Sequence, residues 1–184
     1  MSKLVNKTAF WFVATIATAF CLKYLHALSE THDLLIILSP ANQLLEWFLH
    51  TKSKLVEAGF YFPKYDLVIN KAFTGGNFFV LAFCVFSFTT PYHQFKPTHA
   101  SLMFAGVIAF TYLLTVFVTT IRTFSIIVLL RIDSFLPWLT SSWFLESMKL
   151  IIYISVLYLM YRLLKAGFAL RSRKFSYTDH YPTF

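Results

Sequence analysis

The residues able to do covalent chemistry in this sequence are few, and the cysteines come first. A thiolate is a strong nucleophile near neutral pH when a base stands beside it. Cys21 is followed closely by His26 and His32, so a Cys/His pair in this region is one arrangement that would support nucleophilic catalysis. Cys84 lies inside an apolar run and is expected to pack as a small hydrophobic residue. No Cys-x-x-Cys pair or His/Cys cluster has metal-ligand spacing, so we predict neither a metal site nor a cofactor.

Arg122 is the second candidate, because it interrupts the apolar run 100–130. A charge within a membrane segment is costly and commonly marks a functional site. An arginine near a helix end can instead anchor the helix by extending its guanidinium to the headgroups. The sequence leaves both roles open for Arg122.

Four residues at the start of another apolar run form the third candidate. A hydroxyl, two glycines and an amide follow one another there, in Thr74, Gly75, Gly76 and Asn77. The glycines could hold a substrate backbone closely or could simply form a turn. A threonine hydroxyl without a base is a poor nucleophile, so we expect Thr74 to cap a turn or a helix.

The composition indicates what positions these residues. Of 184 residues, 58% are hydrophobic and only 13% are charged, whereas soluble domains carry about 25% charged residues. A lipid bilayer is therefore the expected surroundings of a single integral membrane domain, 1–184. The net charge of +8 comes from basic residues at the ends of apolar runs, as the positive-inside rule describes, and we predict no nucleic-acid partner.

Four apolar runs predict helices that cross the bilayer, each needing about 20 residues. They are 4–22, 77–90, 100–130 and 143–164. Because 100–130 exceeds one span, we expect its helix to emerge near Arg122 and the remainder to lie along the interface. An even number of crossings places both termini on one side, and the basic tail 165–184 identifies that side as cytoplasmic.

Two further segments are expected to lie at or outside the membrane surface. The run 34–49 is short, contains Pro40 and carries Glu46, which predicts an interfacial or re-entrant helix. The polar segment 51–71 has aromatic and β-branched residues on both sides of Pro63, which predicts a short extracytoplasmic hairpin. The expected fold class is an all-α membrane protein, a polytopic helical bundle with about four crossings and these two additions.

Five short motifs follow one another in the first half of the chain, namely LLIILSP (34–40), LLE (44–46), VEAGFY (56–61), VINKA (68–72) and TGGNF (74–78). In this order they resemble the exosortase/archaeosortase family, and its short exosortase K form most of all. The resemblance covers about 34–164 and is strongest over 56–79. It implies a membrane-embedded cysteine protease or transpeptidase that cleaves the C-terminal sorting tail of a secreted protein. It also implies a multi-pass protein of the cell inner or plasma membrane, whose site faces the extracytoplasmic side.

The resemblance implies a catalytic Cys, Arg and His, and two of the three are replaced. Phe73 stands where the family has its cysteine, directly before Thr74-Gly75-Gly76-Asn77. Leu145 stands where the histidine opens the last helix. Arg122 is retained, in Thr-Thr-Ile-Arg where the family has Asn-x-x-Arg.

Loss of both thiol and base removes the family mechanism. We therefore expect a degenerate exosortase-like protein with impaired catalysis, in which Thr74, Gly75, Gly76 and Asn77 are candidates to line a substrate groove. Two alternatives stay open. One is a structural or assembly subunit of a membrane complex; the other is an active enzyme whose Cys/His site has been relocated to Cys21.

Overall fold

The computed structural model describes residues 2–30, 32–92, 96–132 and 142–178. In chain order its elements are α1 (Ser2–Leu28), α2 (Leu35–Leu49), β1 (Lys54–Val56), β2 (Gly59–Phe62), β3 (Leu67–Ile69), α3 (Gly76–Thr89), α4 (Pro97–Ile132) and α5 (Ser142–Thr178). A 3₁₀ turn, Lys71–Phe73, leads from β3 into α3. The protein is an all-α membrane bundle with a small sheet, and the predicted fold class is confirmed.

Within the part of the chain that the structure describes, four helices are long and apolar enough to cross a membrane, over 7–28, 71–89, 98–129 and 143–167. They correspond to the four predicted crossings. Helix α4 continues unbroken past Arg122 to Ile132; the exit of this helix from the bilayer near Arg122 stays a prediction. The predicted tail also begins as helix, because α5 extends to Thr178; residues 179–184 lie outside the described residues.

Helix α3 is the centre of the bundle. Its Phe78, Ala82 and Phe86 are almost fully buried and form a core with residues of α4 and α5, namely Leu114, Val118 and Leu157. Helix α1 runs antiparallel to α3, since Trp11 stacks on Tyr92 at one end and His26 lies against Gly76 at the other. In the bilayer the outward faces of α1 and α5 meet lipid, which explains why large apolar side chains on them are exposed.

Helix α2 packs along α4 and carries the sheet at its end. The Tyr112 hydroxyl of α4 donates to the Ile36 carbonyl at 2.7 Å, and the rings of Phe48 and Phe124 are 6.2 Å apart at the other end of α2. The two helices therefore run in the same direction, and α2 begins about 15 Å along α4 before the level of Arg122. This position fits the predicted re-entrant helix.

Helix α2 tolerates the carboxylate of Glu46 because hydrogen bonds stabilise its charge. Its Oε1 accepts hydrogen bonds from the Ser53 backbone N–H (2.9 Å), the Ser53 hydroxyl (2.5 Å) and the Asn42 amide (3.1 Å). These bonds, the Ser53 hydroxyl first, hold the pKa of Glu46 below its ordinary value against the opposing effect of burial. Glu46 thereby ties the end of α2 to the chain that enters the sheet.

The sheet is antiparallel in the order β1-β2-β3. Strands β2 and β3 form the predicted hairpin, and β1 adds a third strand. Phe62 and Ile69 point from the sheet into a second core with Leu38 and Leu45 of α2. Gly59 is required at the first turn, because its φ is +136° and a Cβ there would lie 2.1 Å from the Ile69 carbonyl oxygen. The sheet is thus fixed to α2 directly before the chain enters the 3₁₀ turn.

Candidate functional site

The segment 72–77, between β3 and the start of α3, is the meeting point of the bundle's polar side chains. Its turn begins at Asn70, whose side-chain oxygen accepts from the Ala72 N–H at 3.0 Å. The Thr74 hydroxyl closes the turn by donating to the Lys71 carbonyl at 2.9 Å. Gly75 then adopts φ +65° and starts α3 without a side-chain cap. Thr74 is a turn residue, as the sequence predicts.

Gly75 allows α3 to approach α4 closely. A Cβ at this position would lie 2.8 Å from the Thr119 hydroxyl and 3.4 Å from a Thr115 methyl carbon. On α4, Thr111, Thr115 and Thr123 each donate to the carbonyl four residues earlier. Thr119 instead donates across the interface to the Thr74 carbonyl, at 3.4 Å. Thr119 stands at the family's Asn position, and its hydroxyl still contacts the segment that precedes α3.

Arg122 reaches the same segment one turn further along α4. One terminal nitrogen, Nη1, donates to the Ala72 carbonyl at 3.3 Å and to the Tyr153 hydroxyl of α5 at 3.2 Å. The guanidinium carbon lies 5.3 Å from the centre of the Phe73 ring, a cation–π distance. Its Nε is buried and has no hydrogen-bond partner among the described residues. Arg122 therefore lies within a continuous helix and has partners on two other segments of the chain.

His26 supplies an imidazole to this site from α1. Its Nε2 lies 3.1 Å from the Thr74 hydroxyl oxygen. Since that hydroxyl donates to Lys71, the oxygen is left to accept from the Nε2–H of His26. The ring rests on Gly76, where a Cβ would come within 1.9 Å of His26 Cδ2 and 2.0 Å of Nε2. Gly76 is consequently needed for close packing against His26.

Two lysines complete a cationic surround. Lys71 Nζ donates to the carbonyls of Ala27 (3.1 Å) and Ser29 (2.7 Å), the last turn of α1, where the helix dipole favours a cation. Lys23 Nζ contacts the Asn77 side-chain oxygen at 2.5 Å. Both lysines thus hold α1 against the start of α3.

Thr74, Gly75, Gly76, Asn77, Phe73 and Arg122 are together in space. Leu145 is not among the contacts of Arg122: the α5 residue that bonds to it is Tyr153, about 12 Å further along the helix, although Arg122 also acts electrostatically on Glu146, the residue after Leu145. The alternative of a Cys/His site at Cys21 stays a prediction. Cys21 is exposed, and His26 is directed to Thr74.

His26, Lys71, Thr119 and Tyr153 belong to the site and were not predicted to take part in it. Each is an ordinary residue type in its local sequence, and its partner is distant in the chain. The sequence offered one signal: His26 lies at the end of the first predicted span, which should reach the same membrane level as residues 74–77 at the start of the second span.

The arrangement has donors but no thiol. Arg122 and Tyr153 place N–H and O–H groups beside the backbone of residues 72–74, a position from which an arginine can stabilise an oxyanion. The Phe73 ring occupies the face of the guanidinium. Among the described residues, no group of three or more His, Cys, Asp or Glu side chains is placed to hold a metal ion.

Comparison with family models, with curated proteins and with solved structures gives no match for this chain.

Proposed function

We propose that this chain is an exosortase-type membrane protein that binds a C-terminal sorting tail without cleaving it by thiol chemistry. The observation that carries the proposal is the contact between the Thr119–Arg122 motif and the 72–74 segment. Both residues bond to carbonyls of that segment, and Arg122 lies over Phe73. These are the two motifs that the resemblance pairs in one site, with a phenyl ring where the thiol would be.

The length of α3 supports a substrate that lies in the membrane. Its 14 residues extend about 21 Å, whereas the hydrocarbon core is about 30 Å thick. The site at its first residue is then recessed in the outer leaflet of the cell inner or plasma membrane. A tail with a short motif followed by a transmembrane helix would present the motif at this depth.

Arg122 is the expected contact for the tail. A guanidinium has five N–H groups, and the Nη1 of Arg122 already donates to Ala72 and Tyr153. The other terminal nitrogen is available for a backbone carbonyl of the bound tail. Leu145 and Phe73 provide neither base nor nucleophile, so the bound peptide bond stays intact.

Binding is tested with the full chain in nanodiscs and a fluorescent tail peptide that carries its transmembrane helix and basic end. Arg122→Ala should weaken binding about tenfold, since hydrogen bonds to charged groups contribute about 1.5–3 kcal/mol. Arg162→Ala is the matched control, because the Arg162 guanidinium on α5 lies over the exposed ring of Tyr158, away from the 72–77 segment. Equal binding by both variants and wild type would contradict the assignment.

His26 favours a second candidate function, an active enzyme with a hydroxyl nucleophile. The Thr74 hydroxyl would turn its proton from Lys71 to His26 Nε2, 3.1 Å away, and attack the peptide carbonyl. A Thr74 ester would form, the C–N bond would break, and His26 would pass the proton to the leaving amine. Thr74 is only 1% exposed, so a tail must first open the site.

Thr74→Val decides between the two functions, because valine keeps the shape of threonine and removes its hydroxyl. If wild type cleaves the tail and Thr74→Val does not, the hydroxyl enzyme is correct. If wild type binds the tail and releases it uncut, the non-cleaving function is correct.

A further inference from the structure

A cavity of about 350 Å³ lies between α1 and the end of α3, at the opposite end of both helices from the 72–77 segment. Trp11, Phe12 and Thr15 line it from α1, and residues 87–92 line it from α3 and the turn that follows. We call it the α1–α3 pocket. The rings of Trp11 and Tyr92 stack on its wall with centroids 5.0 Å apart.

Two buried hydroxyls of the pocket lack hydrogen-bond partners. Ser87 is 2% exposed and Tyr92 is 3% exposed. Neither the Ser87 Oγ nor the Tyr92 hydroxyl has a partner among the described residues. Burial raises the pKa of Tyr92, and the Ser87 and Thr90 hydroxyls lie near enough to offset part of that rise, but neither forms a hydrogen bond of acceptable geometry with the Tyr92 hydroxyl. Buried polar groups are rarely left unpaired in folded proteins, so these hydroxyls indicate a bound partner.

The electrostatics of the pocket favour a cation with N–H groups. It lies at the C-terminal end of α3, where the helix dipole is negative. The Phe86 carbonyl is taken by the N–H and hydroxyl of Thr90, and the carbonyls of residues 87–89 have no partner inside the helix. The described residues that line the pocket carry no charge. Aromatic faces also attract cations.

The mouth of the pocket is apolar. Phe12 and Phe88 are 53% and 51% exposed, and their rings lie 5.5 Å apart. In a chain that spans the bilayer these rings face acyl chains. Lys7 directly precedes the lining residue Thr8 and can pair with a phosphate outside the pocket. A phospholipid with an amine headgroup would place its amine in the pocket, its acyl chains at the apolar mouth and its phosphate near Lys7.

We propose that the α1–α3 pocket binds a primary ammonium group, the headgroup amine of an aminophospholipid, which donates hydrogen bonds to Ser87, Tyr92 and the last carbonyls of α3. The proposal is independent of the sorting-tail function. The same ammonium chemistry could also come from a small soluble amine.

The first test uses wild-type protein alone, by native mass spectrometry with added lipids. Affinity should fall at least tenfold from phosphatidylethanolamine through its mono- and dimethyl forms to phosphatidylcholine, because each methyl removes an N–H donor. Equal affinity across the series, or tighter binding of phosphatidylglycerol, would overturn the proposal. Phosphoethanolamine is the soluble arm: binding as tight as that of the lipid assigns a soluble amine, and absence of binding assigns the bilayer.

The second test removes the two hydroxyls and keeps the pocket's shape. The Ser87→Ala/Tyr92→Phe variant should bind phosphatidylethanolamine at least about a hundredfold less tightly, the effect of losing two hydrogen bonds to a charged group. Ser155→Ala/Tyr158→Phe loses the same atoms from exposed positions of α5 and should bind as wild type does. Unchanged binding by the first variant would refute the site; a variant that does not fold leaves the decision to the methylation series.

Discussion

Gly76→Ala is the sharpest perturbation of the candidate site. The added Cβ would lie 1.9 Å from Cδ2, 2.0 Å from Nε2 and 2.7 Å from Cγ of His26. Three ring atoms are involved, so a small adjustment of the ring is insufficient. Because His26 lies on the outer helix α1, its side chain can rotate away from α3. It then loses its hydrogen bond to Thr74.

The magnitude follows from that lost bond. A buried hydrogen bond contributes about 0.5–1.5 kcal/mol, and loss of ring packing adds to it, so we expect a cost of about 1–2 kcal/mol. His26→Ala should cost about the same, because it removes the same bond. The two changes should not add: the double variant Gly76→Ala/His26→Ala should also cost about 1–2 kcal/mol, a coupling of similar size.

The assay is reversible unfolding in mixed detergent micelles, with the free energy of unfolding taken for each variant. Gly106→Ala is the control, since a Cβ there meets no atom within 4 Å. Alanine in that helix interior should stabilise the protein by about 0.5–1 kcal/mol. Additive costs for Gly76→Ala and His26→Ala would refute the contact between the imidazole and the start of α3.

Three further predictions follow from local contacts. Glu46→Gln should make the free energy of unfolding less dependent on pH. The folded state lowers the pKa of Glu46, so the ionised carboxylate stabilises the fold above its unfolded pKa, and this stabilisation is lost as the pH falls through the folded pKa. In unfolding measurements from pH 7 to pH 3, wild type should therefore lose more stability than the variant. Gly59→Ala should detach β1 and β2 from β3, because its Cβ would overlap the Ile69 carbonyl; hydrogen exchange of amides 54–69 should rise about tenfold or more, and normal protection would contradict this. Arg122→Lys should destabilise by about 1–2 kcal/mol, because one ammonium cannot hold Ala72 and Tyr153 together while stacking on Phe73, and unchanged unfolding would show that these contacts contribute nothing.

Hydropathy was sufficient to predict the crossings, because a helix in lipid is determined largely by a long apolar run. The hairpin strands were also readable from the β-branched and aromatic residues around Pro63. Helix α4 continues past Arg122, whose guanidinium contacts Ala72, Tyr153 and the Phe73 ring within the bundle.

The site was predictable only as far as motifs extend along the chain. The Arg122 and 73–77 positions came from the resemblance. The contact of His26 with Thr74 joins residues 48 positions apart, and only the antiparallel packing of α1 on α3 creates it. Tyr153 rather than Leu145 bonds to Arg122, a contact that depends on how α5 packs on α3 and α4 and that no local pattern in α5 specifies.

The most direct test of the central claim is to incubate wild-type protein in proteoliposomes with a sorting-tail peptide and to measure bound and cleaved peptide together by mass spectrometry. We expect the wild-type protein to bind the peptide saturably and leave it intact, because Phe73 offers no nucleophile. Two results would contradict the non-cleaving function: recovery of a cleaved tail, or failure of the folded protein to bind the tail peptide.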